Sequence, residues 1–537
     1  MENKSKYTFI IPLIIAFFFG IGMYIGTLFI PKIEFSSNTA QTSSKYNTIL
    51  ELIEEKYVDS VDHNLLIESS IEGMIKKLDP HSQYIPPVEL KGVNEQLQGK
   101  FGGVGIRFLI HEDTLVVTQV LPNSPSERAG LLAGDRIVQV DDSILVNKKI
   151  NNQMVMDLLK GHEGEVVNVK VYRYGEYFNF DITRGTISIS SIDANIMLTN
   201  EIGFIKLNSF TANAGYEFIK AAKKLKSQGM TKLIFDLRNN GGGYMHAATE
   251  IIDQFLEAGL LEVYTEGRKD PRKNHYSTAK GFLKQTKVIV LINSLSASAS
   301  EIVAGALQDN DRGIILGRRS FGKGLVQDQT PFTDGSALRL TISRYYTPTG
   351  RCIQKPYGEG IDYENDYFNR YESGELMHAD SIKHIDSLTY KTPKGRTVYG
   401  GGGIYPDIFV PNDTSGASFY LTNLYYAGAF NQWTFKFLDK NRHKWKDFKT
   451  FNAQFYVSEK QLKDFINYAE KTLNVEIDKD GLRRSKTVIK NRIKAEIARH
   501  LFEDNGYYKI YLKDDLDVEN AIRSFEDSIY NRILNLN

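Results

Sequence analysis

Residues 293–301 read Asn-Ser-Leu-Ser-Ala-Ser-Ala-Ser-Glu. They follow an apolar run, 288–292, and open a segment of small residues, the pattern of a strand turning into a helix. A serine on such a turn holds its hydroxyl near a helix N-terminus, where unpaired backbone N–H groups and the macrodipole favour developing negative charge. That suits a nucleophile whose attack on a carbonyl makes an oxyanion. Ser296, Ser298 and Ser300 are the candidates. A serine needs a base, and no histidine lies in the neighbouring segments. Lys323 does, in Ser-Phe-Gly-Lys-Gly-Leu-Val-Gln, 320–327. As a base its amine must be neutral, so its pKa must fall from about 10.4 toward ~7–8. Burial against Phe321, Leu325 and Val326 can supply that shift, and Gln327 can orient the amine. Taken alone, a helix cap and a tight Gly-Lys-Gly turn would account for the same segments.

The elements that must position these groups follow from periodicity. Strands over 202–207, 232–237 and 288–292 alternate with helices over 214–227, 247–256 and 301–308, which argues an α/β layer with largely parallel pairing. The second strand ends in Arg-Asn-Asn-Gly-Gly-Gly, 238–243. Upstream, residues 101–184 alternate in the β manner, with short helices near 124–129 and 152–159, as in a small barrel or sandwich. Residues 46–77 carry apolar positions at three- and four-residue steps and read as amphipathic helices. Residues 357–396 are polar and irregular, an insertion. Beyond Pro411 the chain reads as charged amphipathic helices whose aromatic residues form a core.

Composition narrows the function. The chain has 537 residues, 42% apolar and 24% charged, with a net charge of +1. Nucleic-acid binding, which usually needs a basic surplus, is not expected. The single cysteine, Cys352, permits no internal disulfide and reads as structural. There is no His-Glu-x-x-His and no P-loop, and no metal or organic cofactor is implied. His81, beside a proline turn, reads as a structural turn residue. His246, after the glycine turn, is the histidine that a Ser-His-Asp alternative would need. Residues 8–30 carry no charge, long enough to span a bilayer core of ~30 Å. Lys4 and Lys6 precede them and keep the N-terminus cytoplasmic. An uncleaved anchor over 1–30 and a polar tether over 31–45 are expected. The rest then lies outside the cytoplasm, on the periplasmic side of a bacterial inner membrane.

Residues 288–327 resemble the catalytic core of the C-terminal processing peptidases, or tail-specific proteases, whose hallmark is Ser-Ala-Ser-Ala-Ser-Glu followed by Phe-Gly-Lys-Gly-x-x-Gln. The resemblance implies that Ser298 is the nucleophile, Lys323 the base and Gln327 its orienting partner, with Ser296 and Ser300 as cap or packing residues. This chain has Leu295 where the family often has glycine. Asp236-Leu-Arg-Asn-Asn-Gly-Gly-Gly243 is similar to the family's Asp-x-Arg-Asn-Asn-Pro-Gly-Gly, with Gly241 in place of proline. It implies one oxyanion donor at Gly242 or Gly243 and a second at the Ala299 amide. Phe101-Gly-Gly-Val-Gly-Ile106, Ser124-Pro-x-x-x-Ala-Gly-Leu131 and Gly134-Asp-x-Ile137 resemble PDZ segments, with Gly103, Val104, Gly105 and Ile106 as the carboxylate-binding loop. Backbone N–H groups in such a turn form an anion nest beside which a peptide adds as a strand.

The implied architecture is a crotonase-like β-β-α core with an inserted, mainly-β PDZ domain and helical segments at both ends. Its parts are 46–98 (N-terminal helical), 99–184 (PDZ), 185–411 (protease core) and 412–537 (C-terminal helical). The implied activity is serine endopeptidase cleavage of proteins with free, unstructured C-termini, through an acyl-enzyme. An inactive PDZ scaffold with a degenerate protease core is the alternative. Partners are peptide or protein substrates and the membrane, not nucleic acid, and a homo-oligomer is compatible with all of this.

Overall fold

A computed structural model describes residues 37–536 apart from Glu112 and Asn147. The chain divides into two compact units, 1–77 and 78–537. The anchor expected over 1–30 lies outside the described residues. Among the described residues no helix is long and apolar enough to cross a membrane. In the first unit, helices run over Ser37–Lys56 and His63–Ile75. The first begins inside the stretch expected as a tether. Nothing between 37 and 56 is glycine or proline, so a helix nucleated by the amphipathic half can propagate back through the Ser/Thr-rich half. The second is capped by Asp62, whose carboxylate accepts from the N–H groups of Asn64 and Leu65.

In the second unit, strands Ile192–Met197, Ile202–Leu207, Lys232–Asp236, Lys287–Ile292, Ile314–Gly317 and Ile408–Phe409 lie side by side in that order. The first pair is antiparallel and the rest are parallel. Their near-continuous apolar runs have a direct cause: both faces of the sheet are covered. Leu233, Phe235, Val288 and Val290 face the helices Ala214–Ser227, Met245–Ile252 and Ala299–Asp309. Their alternates Phe204, Ile234, Ile289 and Leu291 pack with Val518, Ala521 and Phe525 of the helix Leu516–Glu526. The last part of the C-terminal region is therefore one wall of the sheet's core, which extends past residue 411. A second sheet is built around Ala337–Tyr346, which pairs with Leu325–Pro331, Gln83–Ile85 and Leu261–Glu266. It carries the segment downstream of Lys323.

Lys100–Gly103 pairs with Gly185–Ser188, so the chain enters and leaves the β-rich unit between them through one two-stranded stem. Between them strands Ile106–His111, Thr114–Val120, Arg136–Val140, Val166–Arg173 and Glu176–Thr183 form one antiparallel sheet. The helices Pro125–Ala129 and Asn152–Leu159 pack on it. The aromatic residues beyond 411 form a separate helical core around Phe430, Trp433, Phe451 and Phe465.

Candidate active site

The strand Lys287–Ile292 ends in a tight turn before the helix Ala299–Asp309. Ser298 stands at the head of that helix with φ 55° and ψ −115°. A non-glycine residue held there costs about 1–3 kcal/mol, which the surroundings must offset. They do so through Glu301, the third residue of the helix, whose Oε2 accepts the Ser298 N–H at 2.8 Å. Ser296 and Ser300 are buried, and their hydroxyls donate to the carbonyls of Leu237 and Asn240 at 2.8 Å each. They bind the elbow to the glycine-rich turn, while Ser298 keeps partial exposure. Leu295 is exposed and outside the left-handed region, so the position does not require glycine.

The loop 320–323 is held on two sides. Glu301 Oε1 accepts from Ser320 Oγ and the Gly322 N–H, and Oε2 accepts the Lys323 N–H at 2.9 Å. The same carboxylate oxygen thus receives the backbone N–H of both Ser298 and Lys323. The buried Tyr345 hydroxyl lies within hydrogen-bond distance of the Ser298 and Lys323 carbonyls. From the other side Arg370 donates to the carbonyls of Arg319, Ser320 and Phe321; it sits on the helix Asp366–Glu372, inside the stretch 357–396 expected to be irregular.

Lys323 Nζ donates to Gln327 Oε1 at 3.0 Å, and Gln327 Nε2 donates to the His81 carbonyl. Among the described residues Lys323 Nζ and Ser298 Oγ share no direct hydrogen bond. Burial, then the positive charge of Arg339, lowers the Lys323 pKa, while Asp79 and Glu301 act in the opposite direction. The His81 ring meets the Tyr363 hydroxyl at 2.7 Å. Burial and the Lys323 charge push its pKa down to about 4, so the ring stays neutral.

Gly242 and Gly243 have φ of 101° and 142°. A Cβ on Gly242 would lie 2.7 Å from Ser298 Cβ and 3.0 Å from the Ala299 nitrogen, so only glycine lets this turn reach the elbow. The Gly242 N–H donates to Asn240 Oδ1 at 2.9 Å. Among the described residues no hydrogen bond engages the N–H of Gly243 or Ala299. Gly241 lies outside the left-handed region, and nothing stands within 4 Å of where its Cβ would be, so this position does not require glycine. His246 is exposed, and its Nε2 is 3.5 Å from the Ala212 carbonyl rather than on a serine.

A sequence model of Peptidase family S41 matches residues 201–365, and one of the PDZ domain matches 102–183. Residues 30–87 match the N-terminal domain of the activating protease CtpB, and 420–504 match a family of unknown function. A carboxy-terminal-processing protease of Bartonella bacilliformis is 36% identical over 324 residues, covering 59% of this chain and 74% of that one. The carboxy-terminal processing protease CtpB of Bacillus subtilis is 30% identical over 401 residues, 69% of this chain and 82% of that one. The chain belongs to the S41 family of carboxy-terminal processing proteases. Among solved structures it is similar to a photosystem II D1 C-terminal processing protease, at 25% identity and TM-score 0.35, over 70% of this chain and 88% of that one.

In the PDZ unit of the protease, Gly105 has φ 82° and packs on Ser124. The carbonyls of Val104 and Gly105 accept from the Ser126 and Leu121 N–H groups. Gly103 belongs to the stem strand, and Ile106 begins the edge strand Ile106–His111. Cys352 is half-buried and bridges to Tyr346, and burial raises its thiol.

Glu301 carries no chemistry that its residue type announces, yet its place three residues after Ser298 is the acidic position of a capping box. Burial pushes its carboxyl up to about 7, against the hydrogen bonds it accepts. A group whose folded pKa is raised stabilises the fold fully below its unfolded value of about 4.3. That stabilisation fades as pH rises through about 7. Melting midpoints of the wild-type protease and Glu301→Gln, measured from roughly pH 5 to pH 8, should therefore diverge. The wild type should lose midpoint with rising pH relative to the variant, and parallel profiles would contradict this.

Proposed function

We propose that the protease hydrolyses peptide bonds with Ser298 as nucleophile and Lys323 as base, after capturing a substrate's C-terminal tail in the PDZ unit. The observation that carries this reading is the single Glu301 oxygen that receives the N–H of both Ser298 and Lys323. It holds a strained, part-exposed serine and a half-buried lysine in one frame. Lys323 Nζ takes the proton from Ser298 Oγ as it attacks the scissile carbonyl. The oxyanion is received by the unengaged N–H groups of Ala299 and Gly243, at a helix N-terminus. Lys323 then protonates the leaving amine, and an acyl-enzyme remains on Ser298. Water, deprotonated by Lys323, attacks the acyl carbon; the Ser298 Oγ–acyl bond breaks, and Lys323 returns the proton to Ser298 Oγ as the acid product leaves. Gln327, fixed by the His81 carbonyl, keeps the amine aimed. The test is covalent: a serine-directed phosphonate, followed by peptide mapping, should mark Ser298. A mark on another serine, or none, overturns the assignment.

In the PDZ unit the tail carboxylate meets the backbone of Gly103, Val104, Gly105 and Ile106, and the tail adds along the strand Ile106–His111. A charge-assisted hydrogen bond is worth about 1.5–3 kcal/mol. Amidating the C-terminus of a peptide ligand should therefore weaken binding to the full chain by about tenfold or more. Equal affinity for acid and amide, measured by calorimetry on Ser298→Ala protein, would remove the tail-recognition role.

A further inference from the structure

One carboxylate of the C-terminal segment is bonded to an arginine at the approach to each of the two loops beside Ser298. Asp517, on the helix Leu516–Glu526, is buried. Its Oδ2 accepts from Arg238 Nη1 at 2.7 Å, and its Oδ1 accepts from Arg318 Nη1. Arg238 follows the strand Lys232–Asp236 and opens the turn that ends at Gly242 and Gly243. Arg318 follows Ile314–Gly317 and stands two residues before the loop 320–323. Arg238 is shared with Asp236 and Asp515. Among the described residues, Asp517 is the only ionic partner of Arg318.

The carboxylate is rigidly seated. Asp515 caps its helix by accepting the Val518 N–H at 3.1 Å, and Val518, Ala521 and Phe525 lie in the core beneath the parallel sheet. Both guanidinium groups are largely buried, so their charge must be answered inside the protein. Arg318 also donates to the Val410 carbonyl at 3.3 Å, a neutral partner.

We propose that Asp517 is a positioning residue for proteolysis: through Arg238 and Arg318 it fixes the spacing between the glycine-rich turn and the lysine loop. This makes the C-terminal segment part of the catalytic apparatus, and it rests on the Ser298–Lys323 reading above. Asp517 bonds to neither Ser298 nor Lys323, so its effect passes through the two loops. Misplacing reacting groups by about 1 Å costs on the order of 100-fold in rate.

The experiment uses the full chain as wild type, Asp517→Asn and Arg318→Gln, each checked for folding by circular dichroism. Asparagine keeps the shape and one acceptor oxygen, but not the charge that answers two arginines. Phosphonylation of Ser298 by a small phosphonate reports the elbow, oxyanion donors and base without engaging a tail. Asp517→Asn should reach the wild-type final labelling but about 10- to 100-fold more slowly. Peptide kcat should fall by a similar factor with KM held within about twofold. A wild-type labelling rate in folded Asp517→Asn, with only the melting point lowered, would reduce Asp517 to a stabilising residue and overturn the proposal. Should Asp517→Asn fail to fold, Arg318→Gln breaks the same link from the other side and is read identically. A wild type that is not labelled at Ser298 is the separate failure of the underlying site assignment.

Discussion

Lys323→Arg is expected to abolish peptide hydrolysis, by about 10³- to 10⁴-fold, although charge and length are nearly kept. The reason is the proton. A guanidinium stays protonated in proteins and cannot take one from Ser298. A lysine can, provided that its pKa is brought down, and burial and Arg339 both act in that direction at Lys323. The base works only when neutral, so wild-type kcat/KM should rise with pH through a value below the ordinary ~10.4. Hydrolysis measured from roughly pH 6 to pH 10 gives both results on one set of axes. Lys323→Ala should match Lys323→Arg, because neither side chain can take the proton from Ser298. Replacing Arg339 by methionine should move the rising limb to higher pH, since a repelling charge is lost. His246→Ala should keep most of its activity, because His246 is exposed and bonds only weakly to the Ala212 carbonyl. An active arginine variant, or a folded but dead His246→Ala, would restore the histidine triad.

Much of the scaffold around these residues was legible in the sequence, and for a physical reason. Strands buried on both faces have few alternatives to a continuous apolar run, so Ile202–Leu207 and the helix Ala214–Ser227 stand where periodicity puts them. The helix expected over 247–256 ends at Ile252 because 253–256 form turns, a boundary that periodicity alone does not mark. Less was legible where function depends on contacts between distant segments. Arg370 lies in a stretch with no regular sequence pattern, yet it holds two carbonyls of the lysine loop, Ser320 and Phe321, and that of Arg319 just before it. Asp517 looks like any acidic residue in a helix's first turn until the sheet's second face is found against it. His81 reads as a turn residue and is one, since its N–H donates to Asp79. Its carbonyl nevertheless anchors Gln327, a role no side-chain property announces.

Ser298→Ala is expected to have the largest effect of any single change, a loss on the order of 10⁶-fold in kcat with the fold retained. The variant deletes one part-exposed hydroxyl and leaves the Ser298 N–H on Glu301, so the elbow stays capped. Its neighbours make the contrast informative. Ser296→Ala and Ser300→Ala each remove a buried hydroxyl that donates to a carbonyl across the elbow. Each carbonyl keeps a backbone partner, the Asn240 N–H for Leu237 and the Ala297 N–H for Asn240, so the loss is that of one ordinary hydrogen bond, about 0.5–1.5 kcal/mol of stability. Their melting points should fall by several degrees while kcat stays within about tenfold of wild type, because neither hydroxyl faces the reacting carbonyl. The three variants therefore separate on two axes. Ser298→Ala is stable and inactive, whereas the other two are less stable and active. Turnover of a peptide with a free C-terminus, measured beside thermal melting, places each one. If Ser296→Ala were the stable, inactive protein, the nucleophile would lie two residues earlier. The left-handed backbone at Ser298 would then need another explanation.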